Sequence, residues 1–168
     1  LLLVISGCGQ SYNPERDKDC EGCDLSGASL RDADLRDADL SGANFMGADL
    51  RNAHLTDAHL TDANLTDANL TGAVLTQADL TGAVLTGASL RVADLTDADL
   101  SGAELTSSNL EGADLTSSNL EGADLTRANL SGANLANANL RETNLWGANL
   151  SGVIGDEDDF QGALNVPP

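Results

Sequence analysis

Apolar residues fall on a beat of five along most of this chain. From Leu25 to Leu150 every fifth residue is large and apolar, 26 centres in all, Leu throughout except Phe45. Two residues before each centre stands Ala in 22 cases; the exceptions, Cys23, Ser108, Ser118 and Thr143, are also small. Between the small residue and the centre lies Asp or Asn in 19 of the 26 units, as at Asp34, Asp39, Asn64 and Asn69. On an α-helix a step of five turns the side chain by about 140° net, so the leucines would spiral over every face. A long strand fails too, because alternation holds from Ala to Leu and then skips three residues. The pattern predicts a very short extended piece, Ala and Leu inward with Asp or Asn outward between them. The next two residues, often Ser-Gly, Thr-Gly or Thr-Asp, predict a corner. Gly27, Gly42, Gly72, Gly82 and Gly102 give the backbone its freedom there, and Asp or Asn suits the same role. One unit cannot bury its Leu alone, but stacked units can. Leu85→Asp is therefore expected to prevent folding.

These residues resemble the pentapeptide-repeat family, whose motif reads A(D/N)LXX, and the match covers residues 23–150. The resemblance implies an all-β fold, a right-handed quadrilateral β-helix with four pentapeptides per coil. It implies about 6.5 coils, with side chains 20 residues apart stacked vertically. At roughly 4.8 Å between paired backbones the rod would be about 31 Å long.

Composition narrows the function. The chain has 168 residues, 8 Lys plus Arg against 27 Asp plus Glu, and a net charge of -19. That argues against direct nucleic-acid binding through a basic face. Aromatics at 2% supply neither a conventional aromatic core nor a base-stacking platform. The 41% of apolar residues is too high for a solvated acidic tail.

The two ends differ from the middle. The chain opens on Leu1 rather than Met, and residues 1–7 read as the remnant of a truncated signal peptide. Ile5-Ser6-Gly7-Cys8 resembles a bacterial lipobox, in which cleavage precedes the Cys and that residue is acylated. Cys8 is thus a lipidation candidate; plain secretion and an accidental fragment end are the alternatives. Residues 8–19 read as a polar tether, 20–150 as the β-helix and 151–168 as a C-terminal cap or tail. If Cys8 carries lipid, Cys20 and Cys23 remain as one pair. They occupy a Leu slot and an Ala slot, so both are expected to point inward, as a structural disulfide or paired buried thiols rather than a redox or metal site. After Leu150 the register falters at Gly155. Phe160 and Ala163-Leu164 are expected to cover the last coil, since an open end invites end-to-end dimerisation.

No catalytic residues, cofactor or metal site are legible. His54 and His59 take outward positions, with Asp39 and Asp79 expected below and above His59. The run Asp156 to Asp159 lacks the spacing of a calcium loop, and no glycine cluster opens a helix as a phosphate loop would. Ser108 and Ser118 lie on opposite faces inside a verbatim duplicate, TSSNLEGADL at 106–115 and 116–125. Threonines form outward rows such as Thr66, Thr86, Thr106 and Thr126. Arg31, Arg51 and Arg91 share a column and are expected to pair with Asp37, Asp57 and Asp97 across a corner.

Two functions follow. The first is a non-enzymatic structural or protein-interaction module with an unknown protein partner, exported to the cell envelope or periplasmic side. It would touch the membrane only through a lipid anchor. The alternative is a cytoplasmic acidic DNA mimic that binds DNA gyrase or another topoisomerase, as some members of the resembled family do. Residues 24–150 carry 19 acids and 6 Arg, a charge comparable with duplex DNA at one per roughly 1.7 Å. Against mimicry, the charge is expected to spread over all four faces.

Overall fold

The computed structural model describes residues 3–4, 11–12, 18–155 and 158–167. Two short strands, β1 (Leu3–Val4) and β2 (Ser11–Tyr12), pair antiparallel with Leu3 opposite Tyr12. From Asp24 to Asn134 each outward residue bridges, in parallel, the residue twenty positions later, beginning Asp24 to Asn44 and Ser29 to Asp49. Four five-residue units therefore complete one coil and give the rod four sides. Outward residues on the first side include Asp24, Asn44 and Asn64; on the second Ser29, Asp49 and Asn69; on the third Asp34, His54 and Val74; on the fourth Asp39, His59 and Asp79.

Each unit's hydrogen-bond donors explain its sequence. In the unit around Leu65, the Leu65 N–H donates up to Val84 O (2.7 Å) and the Asn64 N–H down to Ala43 O (2.9 Å). At the corner, the Asp67 N–H donates up to Thr86 O (3.0 Å), and the Ala68 N–H closes the turn on Leu65 O (3.0 Å). One N–H remains, that of Thr66, and Asn64 Oδ1 accepts it at 3.1 Å. The same side-chain cap forms two residues after every one of the 19 outward Asp and Asn residues. The outward position thus favours Asp or Asn because a short side-chain oxygen satisfies the last orphan donor of the unit.

The second corner residue sits in the left-handed region throughout, as at Gly72 (φ 69°) and Asp57 (φ 57°). Only Gly takes that conformation without a Cβ penalty, and Asp and Asn tolerate it best among the rest. Val92 (φ 49°) is the one β-branched residue there among the described residues.

Leucines and alanines fill the interior, and those from Leu35 to Leu135 are almost completely buried. Phe45 occupies a Leu slot with no exposure. After Leu150 the spacing continues: Ile154 bridges Asn134 and Leu164 bridges Asn144, both at twenty residues. Counted by fives, Phe160 stands in a Leu slot and Ala163 in an Ala slot, and both pack against the core.

Candidate functional site

Cys20 and Cys23 are joined by a disulfide. The Cys23 N–H also donates to Cys20 O (3.1 Å), the turn bond made elsewhere between an Ala and the preceding Leu. The bridge therefore links the inward slots of one corner at the N-terminal end of the core, where Cys20 is buried and Cys23 half-buried. Cys8 lies outside the described residues, as do Asp156 and Glu157.

His59 stands between Asp39 and Asp79 on the fourth side, and His54 between Asp34 and Val74 on the third. Among the described residues no group of three or more His, Cys, Asp or Glu side chains is arranged to hold a metal. At the C-terminal end a cavity of about 470 Å³ lies between the last full coil and the tail, with Arg141, Glu142, Asp158 and Gln161 in its walls.

Most hydroxyls of the threonine rows are engaged in the rod itself. Thr66 Oγ1 donates to Asn64 Oδ1 (2.7 Å) and Thr96 Oγ1 to Asp94 Oδ1 (2.7 Å). Others bridge coils, Thr61 Oγ1 to Asp79 Oδ2 (3.0 Å) and Thr76 Oγ1 to Asp94 Oδ2 (3.2 Å). Asparagines add ladders in which the upper amide donates to the residue below, as from Asn149 to Asn129 (3.0 Å) and from Asn129 to Asn109 (3.2 Å). Burial raises the carboxyls of Asp79, Asp94 and Asp124, but bonds from their threonines outweigh it and hold them below the ordinary range. Asp34 is also held low, chiefly by the Arg36 guanidinium, and Asp49 by that of Arg51.

Two expectations about charge are corrected. Arg31 pairs with Asp32, Arg51 with Asp49 and Arg91 with Glu111, none of them with Asp37, Asp57 or Asp97. An Asp at the outward position two residues back already presents both oxygens to Arg51, Nε to Oδ1 at 2.7 Å, so no reach across the side is needed. Nor is the charge spread over four sides. The second side with its two bounding corners holds four acids (Asp32, Asp49, Asp67, Glu111) and four arginines (Arg31, Arg51, Arg91, Arg127). The whole -13 of residues 24–150 lies on the other three sides.

Inside the core, Ser118 Oγ donates to Leu115 O (2.8 Å) and Thr143 Oγ1 to Leu120 O (2.7 Å). Ser108 Oγ, equally buried, has no partner.

The pentapeptide-repeat family model matches residues 19–57, 53–91, 93–132, 118–154 and 133–163, in eight copies. The chain belongs to the pentapeptide-repeat family. Its architecture is accordingly the right-handed quadrilateral β-helix. This pentapeptide-repeat chain is similar to HetL, a protein involved in heterocyst differentiation regulation from the cyanobacterium Nostoc sp. strain PCC 7120. Their identity is 30%, over 81% of this chain and 84% of HetL, with a TM-score of 0.31. It is similar also to alr5209 from Nostoc PCC 7120, at 34% identity over 69% and 83% of the two chains (TM-score 0.27). A third similar structure is a trypsin-treated variant of QnrB1, a plasmid-mediated fluoroquinolone resistance protein. It is 22% identical over 83% and 82% of the two chains, with a TM-score of 0.40. No curated protein sequence matches the chain.

Proposed function

We propose that this pentapeptide-repeat protein is a non-enzymatic structural or protein-interaction module, exported and held at the cell envelope by lipid on Cys8. The observation that carries the module is the engagement of its outward side chains. Caps, threonine bridges and asparagine ladders tie them to the rod, leaving a stiff surface rather than a constellation poised for chemistry. Export and anchoring are supported by the run Leu1 to Cys8, with the Cys20–Cys23 disulfide suiting an oxidising compartment. The test is expression with the native start of the gene, cell fractionation and intact mass. A membrane fraction bearing diacylglycerol on an N-terminal Cys8 is the expected result. An unmodified Cys8 in a cytosolic product overturns the anchored part.

A second reading is favoured by the uneven distribution of the charge. An acidic rod with -13 on three contiguous sides suits a basic groove made for duplex DNA, as on DNA gyrase or another topoisomerase. Supercoiling by gyrase with and without the purified chain decides it; no effect at large molar excess removes the reading.

A further inference from the structure

Two independent features meet on the second side of the rod. Its charges cancel, whereas the other three sides hold the whole excess of acid. The exposed large hydrophobics converge on the same place. Six stand out among the described residues, and three of them, Ile154, Leu164 and Val166, belong to the C-terminal segment. The three within the regular repeat are Met46 (50% exposed), Val92 (62%) and Trp146 (53%), and all occupy the two corners that bound the second side. Val92 is also forced into the left-handed region, where a β-branched side chain is strained. Folding gains nothing from a strained, exposed valine at a position where Gly or Asp serves elsewhere, and strain of this kind points towards function.

We propose that the second side is an interface between two copies of this chain, lying side by side with their rods parallel. The inference deepens the reading of the rod as an interaction module and does not depend on export or on Cys8. Charge selects the occupant, because two rods this acidic repel through their other sides and approach without penalty through this one. Shape agrees. A two-fold axis running along the rods keeps every level opposite its own level and exchanges the two edges. Val92 of one copy then meets the edge at Gly87 of the other, Arg127 meets Gly132, and Trp146 meets Ser151 and Gly152. At each of the seven levels from Gly27 and Asp32 to Gly147 and Gly152, at least one of the two left-handed corner residues is Gly. At that corner position a larger residue therefore faces a glycine at six levels, with the Asp67 carboxylate beside Gly87 and the Asn52 amide beside Gly72; at the first corner position Met46 faces Arg51. Trp146 is held in place by the Arg127 guanidinium, 5.0 Å from its ring centroid. The centre is flat, built of short Ser and Asn side chains; Asp49, which meets its own copy, is neutralised by Arg51. One side of a rod with 7578 Å² of surface offers on the order of 1,000 Å², against about 800 Å² per partner in a standard interface.

The experiment is sedimentation equilibrium of the full chain over a wide concentration range, with three single variants. Val92→Asp and Asn109→Asp each place a charge on the second side. Both spare the fold. Asp adopts the required corner conformation at Asp32 and Asp97, and the carboxylate of Asn109→Asp keeps an oxygen to accept from the Asn129 amide and the Glu111 N–H. Gln77→Asp makes the same charge change at a left-handed corner bounding the fourth side and is the control. The wild type and Gln77→Asp should dimerise alike, while Val92→Asp and Asn109→Asp weaken the dimer by roughly tenfold or more. Emission from Trp146, the only tryptophan in the chain, should shift to the blue as the wild type associates. A wild type that stays monomeric overturns the proposal. So does a dimer that Val92→Asp and Asn109→Asp leave intact, the pattern of end-to-end association.

Discussion

Leu85→Ala tests how rigidly the coils are spaced. Leu85 has no exposure and lies in a column between Leu65 and Leu105, which are equally buried. The backbone around it is tied in both directions, Leu85 N–H to Glu104 O at 2.7 Å and Val84 N–H to Ala63 O at 2.9 Å. Closing the gap left by the lost side chain would mean bringing neighbouring coils together against these bonds. The cavity should therefore persist, and the cost should fall in the upper part of the range for such substitutions, about 3–5 kcal/mol. For a chain of this size that lowers the melting temperature by roughly 10 °C. Leu150, at the last full coil and only half-buried, has room to relax; the same change there should cost about 1–2 kcal/mol. Urea unfolding of both variants, followed by circular dichroism, gives the two numbers. Equal costs, or a loss below about 1 kcal/mol at Leu85, would refute the idea that the hydrogen-bonded ladder holds the coils apart.

Ser108→Ala removes a buried hydroxyl without a partner and should stabilise the fold by about 1 kcal/mol. Ser118→Ala, which loses the bond to Leu115 O, should gain nothing; denaturant midpoints separate the two. Val84→Asn adds the side-chain oxygen that caps the second N–H onward in every Asp or Asn unit, and should raise stability by about 1 kcal/mol in the same assay. Val92→Asp relieves the left-handed valine and should raise the stability of dilute protein by about 1 kcal/mol, although it weakens association. Carboxyls held low by threonines and arginines, among them Asp49, Asp79, Asp94 and Asp124, bind fewer protons folded than unfolded in acid. Their contribution is complete above the unfolded value of about 3.9 and is lost as the pH falls through their lower folded values. Thermal melts should therefore be level near neutrality and drop below about pH 4; a midpoint that rises on acidification would contradict these bonds.

Much of this fold is legible in the sequence because a five-residue beat leaves few choices. Ala and Leu at fixed spacing define two inward positions, and Gly, Asp or Asn at the corner answer to a positive φ. Less legible is why the outward position prefers Asp or Asn. The reason is the accounting of backbone donors, in which Asn64 accepts the Thr66 N–H, and periodicity carries no trace of it. Column arithmetic misassigns Arg51 because it ranks neighbours by height on the rod, whereas its partner Asp49 lies two residues back along the chain. Phe160 is within reach of the sequence: counting by fives past Gly155 lands on it, and a missing Leu conceals a register that continues. The neutral second side is also within reach once each corner residue is assigned to the side it bounds. Ser108 and Ser118 lie in the same duplicated sequence, yet only Ser118 finds a hydrogen-bond partner, a difference the sequence does not carry.

The duplicate at 106–125 has a geometric meaning that its chemistry does not suggest. Twenty residues make one coil, so adding or removing twenty lengthens or shortens the rod and leaves every side unchanged. The duplicated unit is ten residues, half a coil. Deleting one copy would swivel everything after it through half a revolution, carrying Arg127 and Trp146 from the neutral side round to a corner of the most acidic one. In a molecule wound this way, indels of twenty edit length and indels of ten edit heading.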